Sequence, residues 1–176
     1  RQMCIETDAE YTRELITRHV SGRLKVAPEH TSDRVLELMR KPSFRQFGEF
    51  KDIFDRINRE SGLRQQIIPY FISSHPGCTE EDMAELAVLT KRMDFQLEQV
   101  QDFTPTPMTV STEAWATGYH PYTLEPVYSA KSPREKLAQR MFFFWYKPEE
   151  RKSILNELRR IGRQDLIDKL YGKRNK

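Results

Sequence analysis

The chain has 176 residues, of which 38% are hydrophobic and 31% charged, and its formal net charge is +3. This length and composition predict one soluble globular domain, or one domain with an appendage. The apolar runs fall well short of the roughly 20 residues that a membrane-spanning helix needs, so we expect no membrane partner.

The charge is unevenly distributed along the chain. Residues 1–127 carry 15 basic and 20 acidic side chains, whereas residues 128–176 carry 14 basic and 6 acidic ones. The C-terminal part therefore has a net charge of +8, which makes nucleic acid a partner to consider.

The chain contains two cysteines, Cys4 and Cys78. Two thiols cannot build a disulfide framework or a four-thiolate metal site, so a reducing, cytoplasmic location is expected. We expect Cys78 to be a small turn residue that packs against the preceding strand. The alternative is a reactive thiol, because a neighbouring helix N-terminus lowers the pKa of a cysteine.

In chain order, the first helix is predicted to begin at Thr7, which has capping-box spacing, and to end near Gly22. A short alternating strand over residues 23–27 follows. Apolar spacing then predicts two helices, at residues 31–41 and 48–60.

The middle of the chain predicts a strand–helix–strand unit. The apolar run of residues 66–72 is typical of a strand buried on both faces. A polar turn at residues 73–78 leads to a helix capped by Thr79, and a second strand is expected at about residues 96–103. Such units form parallel sheets, in which chemistry gathers at the carboxyl ends of the strands.

Residues 104–131 contain four prolines, which are expected to prevent any regular element. We expect the aromatic side chains of this extended segment to anchor it against the body of the protein, although stacking on nucleic-acid bases is an alternative. These aromatic residues are Trp115, Tyr119, Tyr122 and Tyr128.

The C-terminal part is predicted to be helical. The sequence Ser-Pro-Arg-Glu at residues 132–135 is a capping box that begins a helix running to about Tyr146. Further helices are expected from Pro148 and over residues 164–171, followed by a solvated tail at residues 173–176.

These elements predict an α/β fold with parallel strands that suits a (βα) barrel, which the resemblance described below implies is a fragment of a partial (βα) barrel, then the extended Pro/aromatic segment and the basic helical region. A doubly wound sheet is the alternative. Three parallel strands make a poor sheet by themselves, and the chain opens on Arg1 rather than Met. We therefore expect a piece of a longer polypeptide whose N-terminal remainder is its partner.

Three segments together resemble the radical S-adenosylmethionine proteins of the YgiQ type. They are Leu-Lys-Val-Ala-Pro-Glu-His-Thr-Ser at residues 24–32, Phe-Ile-Ser-Ser-His-Pro-Gly-Cys-Thr at residues 71–79, and Asp-Phe-Thr-Pro-Thr-Pro-Met-Thr at residues 102–109. The tRNA methylthiotransferases are similar more distantly. The resemblance implies that residues 1–110 are the later part of the radical-SAM barrel and that residues 111–176 are the family's C-terminal domain.

The resemblance further implies that the full-length parent is an enzyme with S-adenosylmethionine and a [4Fe-4S] cluster as cofactors. The reduced cluster cleaves S-adenosylmethionine to a 5′-deoxyadenosyl radical, which abstracts hydrogen from a substrate that the sequence does not identify. The family's cluster motif, Cys-x-x-x-Cys-x-x-Cys, is expected N-terminal to Arg1, because it does not occur in these 176 residues. The fragment itself is thus expected to bind no cofactor, to hold no metal ligands and to be inactive alone.

What remains here would be the later wall of the cofactor site. The resemblance implies cofactor contacts at two strand ends by Pro28, Glu29, His30, Ser73, Ser74 and His75. Glu29 would accept hydrogen bonds from the ribose hydroxyls or the amino group, or it is only a carboxylate at a helix entry. His75 is alternatively a satisfied turn histidine, and His30 an orienting or capping residue.

A binding module is the competing interpretation. The basic helical end would recognise RNA or a protein, and phosphate binding would depend steeply on salt; otherwise its cations form a solvated face. The cations that test this are Arg151, Lys152, Arg159, Arg160 and Arg163. A complete, non-enzymatic α/β domain is the third interpretation, whereas an exposed strand edge near residues 24–27 would indicate a cut barrel.

Overall fold

A computed structural model describes residues 9–172 of the chain. The α-helices of this part are α1 (Ala9–Glu14), α2 (Asp33–Leu38), α3 (Phe44–Glu60), α4 (Glu80–Arg92), α5 (Val110–Thr117), α6 (Pro133–Arg140), α7 (Arg151–Arg160) and α8 (Gln164–Tyr171). A π-helical turn (Leu15–His19) continues α1, and a 3₁₀ turn (Met141–Phe144) continues α6. The predicted Thr7 cap, Cys4 and the tail at residues 173–176 lie outside the described residues.

The strands β1 (Arg23–Glu29), β2 (Gln66–Ser73) and β3 (Gln99–Asp102) form one sheet in the order β1–β2–β3. Both pairings are parallel, which confirms the predicted α/β class. Because the strands are parallel, their carboxyl ends lie at one edge of the sheet. Within the described residues β1 pairs on one side only, so it is an edge strand.

The two faces of the sheet differ in character. Leu24, Ile67, Phe71 and Val100 share one face, and the helices bury their apolar sides against it. The other face is more polar, and there the Tyr70 hydroxyl donates to Gln101 at 2.6 Å.

The strand β2 is less enclosed than its apolar run predicts. Ile67, Ile68 and Phe71 are buried, but Tyr70 and Ile72 are only half-buried. The prediction of burial on both faces is therefore wrong for Tyr70 and Ile72, which lie on the face without packed helices.

Two apolar clusters cover the first face. One contains Phe47, Phe50 and Phe54 of α3 with Ile16 and Ile67. The other joins the sheet to the C-terminal helices, and its fully buried members include Phe71, Met83, Phe142, Phe143, Ile154 and Leu158. The C-terminal helices are thus part of the core under the sheet.

Local capping explains where the structure differs from the predicted helix bounds. Helix α3 begins at Phe44, not near Gly48, because the Ser43 hydroxyl accepts from the Arg45 amide at 3.2 Å and an Asp33 oxygen accepts from the Phe44 amide at 3.0 Å. Helix α6 has the predicted capping box but ends at Arg140, where the chain tightens into the 3₁₀ turn.

The expectation that residues 104–131 hold no regular element is wrong. Helix α5 occupies the proline-free stretch, with the Thr109 hydroxyl accepting from the Thr112 amide at 3.2 Å and Gly118 ending the helix at φ 78°. Tyr119 and Tyr122 are 52% and 66% exposed, so they are not buried anchors, whereas Trp115 is partly buried. None of the helices in residues 9–172 has the length and apolar composition needed to cross a membrane.

Candidate functional site

The end of β1 is a tight turn centred on Glu29. The His30 amide donates to the Pro28 carbonyl at 2.8 Å, and Glu29 has φ 67°. This γ-turn with positive φ is rare, and such backbone strain costs of order 1–3 kcal/mol and concentrates at functional sites. The turn thus places a carboxylate at the strand end, on a backbone conformation that non-glycine residues seldom adopt.

The Glu29 carboxylate is only partly satisfied. Its side chain is 13% exposed and one oxygen, Oε1, lies 3.4 Å from Lys41 Nζ. The other oxygen, Oε2, is buried and has no hydrogen-bond partner. A buried carboxylate oxygen without a donor is costly, so a ligand hydroxyl or amine at this position would be stabilised.

His30, next in the chain, points away from Glu29 into the protein. It is fully buried, its Nδ1 accepts from the Ser32 amide at 3.0 Å, and its Nε2 lies 3.4 Å from Cys78 Sγ. Burial lowers the pKa of His30 to about 4, so the ring is neutral at pH 7. Its contacts match the predicted orienting role, in that it ties the end of β1 to the turn after β2.

The end of β2 carries the second group of predicted residues. The Ser73 hydroxyl donates to Asp102 Oδ1 at 2.6 Å, which ties the ends of β2 and β3 together. Ser74 has φ 60°, and its buried hydroxyl has no partner. Two consecutive strand ends therefore each combine a strained non-glycine residue with an unpartnered buried oxygen.

His75 lies at the edge of the cleft formed by these strand ends. Its Nδ1–H donates to the Pro76 carbonyl at 2.8 Å, so Nε2 is the acceptor for the Ser111 hydroxyl at 2.8 Å. The ring also meets Phe103 edge-on, with centroids 5.0 Å apart. Burial lowers the pKa of His75 to about 4, and the ring is neutral at pH 7.

The cleft has a volume of about 450 Å³ and lies along the carboxyl ends of the strands. Of the predicted residues, Glu29 and His75 line it, whereas Pro28, His30, Ser73 and Ser74 support the turns behind it. The rest of the lining includes Phe103 and several polar side chains: Gln101, Asp102, Thr104, Thr106, Thr109 and Ser111.

The rim of the cleft includes two cations at the end of α2. Lys41 faces Glu29, and Arg40 places its guanidinium 4.9 Å from the centre of the Tyr122 ring. Arg40 has φ 56° at a helix end where glycine is usual. The loop that carries Tyr122 therefore contacts the cleft rim. Arg40 and Tyr122 are 82 positions apart, and no sequence pattern indicates their contact.

The sequence analysis missed three residues whose side chains contact the strand ends. Gln139 accepts a hydrogen bond from the Ser74 amide, Arg140 pairs with Asp102, and Ser111 donates to His75. Ser111 lies in α5, a helix that the sequence analysis did not predict because prolines flank it. Gln139 and Arg140 lie within a helix whose pattern indicates only amphipathicity. Asp102 was visible at the end of a predicted strand, although its bond to Ser73 was not.

Cys78 packs in the core and is not a reactive thiol. It is fully buried, and burial raises the pKa of its thiol well above the usual value, which confirms the expected packing role and rules out the reactive-thiol alternative. Within residues 9–172 no group of three or more His, Cys, Asp or Glu side chains is arranged to hold a metal ion.

Three of the five basic C-terminal residues that were expected to test nucleic-acid binding have partners within the chain. Arg163 pairs with Glu81, Glu85 and Asp165, and so ties α8 to α4. Other members of the predicted set are held locally: Arg160 pairs with Glu157, and the Arg151 guanidinium lies 5.0 Å from the Tyr171 ring centre.

Comparisons with known proteins identify relatives over nearly the whole chain. A UPF0313 protein of Bacteroides thetaiotaomicron is 86% identical over 168 residues, which are 96% of this chain and 27% of the relative. UPF0313 proteins of Porphyromonas gingivalis and Geobacter sulfurreducens are 72% and 46% identical, over 92% and 96% of this chain and 26% and 28% of the relatives. The chain thus spans about a quarter of the length of the curated relatives it matches.

A family model also matches the later part of the chain. Residues 98–175 match a domain of unknown function, DUF3362, so the match includes β3 and every helix from α5 onward. UPF0313 is the family of the YgiQ-type proteins whose motifs the chain shares. The chain is thus similar to UPF0313 proteins over nearly its whole length, and its residues 98–175 match DUF3362.

Proposed function

We propose that the chain is part of a radical S-adenosylmethionine enzyme and that its strand-end cleft forms part of the cofactor site. The observation that carries the proposal is the Glu29 carboxylate, held in a strained turn with a buried, unpartnered Oε2. Together with the YgiQ-type motifs, the position of this cleft at the carboxyl ends of parallel strands supports the same assignment.

The residues present fit the polar part of S-adenosylmethionine. Glu29 Oε2 accepts from a ribose hydroxyl or the cofactor amino group, and Lys41 keeps Oε1 occupied so that the ligand meets one defined oxygen. Pro28 and His30 fix the turn that presents Glu29. His75 forms the neighbouring wall, and Ser73 and Ser74 support the turn behind it.

The proton positions in this wall are fixed. Because Nδ1–H of His75 is bound to the Pro76 carbonyl, its Nε2 can only accept, from Ser111 or from a ligand that displaces it. Neutral His75 therefore orients a hydroxyl group and does not act as a cation at pH 7. When bound in the full-length protein, the [4Fe-4S] cluster and S-adenosylmethionine would supply the radical chemistry, while Glu29 and His75 would hold the polar part of the cofactor.

The partner that this proposal requires is the remainder of the same polypeptide, which would supply the cluster ligands. Further strands of a barrel would continue the sheet at the free edge of β1. An RNA or protein substrate and a cytoplasmic location belong to the proposal as expectations for the whole enzyme.

The first test is the gene sequence upstream of residue 1 and the cofactor content of the full-length protein. Three cysteines spaced Cys-x-x-x-Cys-x-x-Cys, iron and sulfide in cluster stoichiometry, and 5′-deoxyadenosine formed after reduction with dithionite are expected. An upstream segment without the cysteine triplet, or no 5′-deoxyadenosine from reconstituted protein, contradicts the proposal.

The second test addresses Glu29 itself. In the full-length protein, Glu29→Gln removes the charged acceptor and is expected to weaken S-adenosylmethionine binding about tenfold, since hydrogen bonds to charged groups contribute roughly 1.5–3 kcal/mol. The matched control is Glu37→Gln, an exposed glutamate of α2 that undergoes the same change in charge. Equal calorimetric affinities for the two variants would exclude Glu29 from the cofactor site.

A further inference from the structure

The last turn of α6 reaches the turn that follows β2. Gln139 is fully buried; its Oε1 accepts from the Ser74 amide at 2.8 Å, and its Nε2 donates to the Cys78 carbonyl at 2.7 Å. Both groups of the side-chain amide are thus used on the two ends of one short turn. His75, which lines the cleft, lies between these two bonds.

The next residue of α6 holds the neighbouring strand. Arg140 Nη1 lies 3.1 Å from Asp102 Oδ2, while Asp102 Oδ1 accepts from the Ser73 hydroxyl. The Phe103 amide also donates to the Ser73 carbonyl at 2.7 Å. Two consecutive residues of α6 therefore fix the ends of both β2 and β3.

The turn after β2 needs such support because of its backbone conformation. Ser74 has φ 60°, and a non-glycine residue persists in this region only where its surroundings determine it. The later part of the chain also contacts this turn through Tyr128, whose carbonyl accepts a hydrogen bond from the Gly77 amide at 2.7 Å. The contacts that stabilise the strained segment thus come largely from the residues that match DUF3362.

We infer that the DUF3362 region completes the strand-end cleft, with Gln139 and Arg140 as positioning residues for the Ser73–His75 segment. This region is then not an independent binding module attached to the sheet. Phe142 and Phe143, which follow directly, are fully buried in the same core as Phe71 of β2. The identity of the ligand rests on the proposed function, but the support of the turn does not.

The support of the turn is tested by hydrogen exchange in the full-length protein. Gln139→Leu keeps the volume and removes both polar groups, so the amides of residues 73–79 are expected to exchange at least tenfold faster than in the wild type. The control is Arg134→Ala, an exposed residue of the same helix. If exchange in this segment is unchanged by Gln139→Leu, the positioning role is refuted.

A second variant separates hydrogen bonding from packing. In Gln139→Glu, a protonated carboxyl group both accepts from Ser74 and donates to Cys78, whereas the ionised group cannot donate. Wild-type protection of residues 73–79 should therefore return as the pH falls. The groups that carry charge or titrate near this turn are His30, His75, Cys78, Asp82 and Arg34, so the wild type is measured at each pH as the reference. Equal loss of protection at every pH would contradict the hydrogen-bonding role.

Ligand affinity distinguishes this inference from the proposed function. Gln139→Leu is expected to raise the KM for S-adenosylmethionine at least tenfold and to change kcat less than threefold. Faster exchange with an unchanged KM would refute the role of Gln139 in positioning the ligand site. A wild-type protein that binds no S-adenosylmethionine would contradict the proposed function, and the exchange data would still decide whether the DUF3362 region holds the turn.

Discussion

The strand-end cleft and the basic surface of α7 and α8 differ in how completely their polar groups are satisfied. In the cleft, Glu29 and Ser74 both have positive φ and a buried oxygen without a partner. On the basic surface, Arg163 alone pairs with three carboxylates. Unmet hydrogen-bonding capacity and local strain therefore distinguish the proposed cofactor site from the basic surface.

The largest effect expected in this comparison concerns the core that joins the two regions. Phe143→Ala removes a fully buried ring and is expected to lower the free energy of unfolding by about 3–5 kcal/mol. Leu137→Ala is the control, since Leu137 is 65% exposed and should change it by less than about 0.5 kcal/mol. Urea unfolding gives the stability, and hydrogen exchange in β2 shows whether the sheet is destabilised too. Exchange in β2 unaffected by Phe143→Ala would mean that the C-terminal helices fold independently.

The buried histidines make the strand-end region sensitive to acid. The pKa of both His30 and His75 is about 4 in the folded protein, below the unfolded value near 6.5, because burial disfavours the charged ring. The folded state therefore binds fewer protons between these values, and stability is complete above pH 6.5 and falls as the pH decreases towards 4. Since one pKa unit corresponds to about 1.4 kcal/mol, each ring accounts for as much as about 3 kcal/mol.

This pH dependence is checked by measuring the urea midpoint from pH 7 to pH 4 for the wild type and for His75→Gln. The glutamine can still donate to Pro76 and accept from Ser111 but does not titrate, so its midpoint should fall less steeply. Parallel curves for the two proteins would show that His75 does not carry this share of the acid sensitivity.

A smaller effect is expected at Gly77, in the turn held by Gln139. Gly77 has φ 82°, and an added Cβ would lie 2.3 Å from the Leu38 side chain. Gly77→Ala should therefore cost about 1–2 kcal/mol from the left-handed conformation alone. Gly48→Ala is the matched control: Gly48 lies inside α3 with nothing within 4 Å, and alanine there should stabilise by up to about 1 kcal/mol. Thermal unfolding should show shifts of opposite sign, and two shifts of the same sign would contradict this description of the turn.

The smallest effect is expected on the basic surface. Lys152 and Arg159 are exposed and form no ion pair within the described residues, so replacing both with alanine should change the free energy of unfolding by less than about 0.5 kcal/mol. Binding of a mixed RNA at low salt should also be unchanged. A loss of RNA affinity with a reduced salt dependence would instead favour the binding-module interpretation.

The sequence predicted the three strands and their parallel direction, because short apolar runs and capping residues are local signals. The Thr79 and Ser132 capping boxes are examples, since each depends on residues three positions apart. Helix α5 was hidden by prolines on either side of it. The long-range support of the site, such as the bonds of Gln139 to Ser74 and Cys78, depends on packing between residues more than 60 positions apart, and no periodicity or spacing carries that information.

The most direct test of the account is hydrogen exchange of the full-length protein with and without S-adenosylmethionine. The account predicts slower exchange on cofactor binding in peptides that cover residues 28–30 and 73–75, and no change in residues 151–171. Protection confined to residues 151–171, or none at the two strand ends, would contradict the assignment of the cofactor site to this cleft.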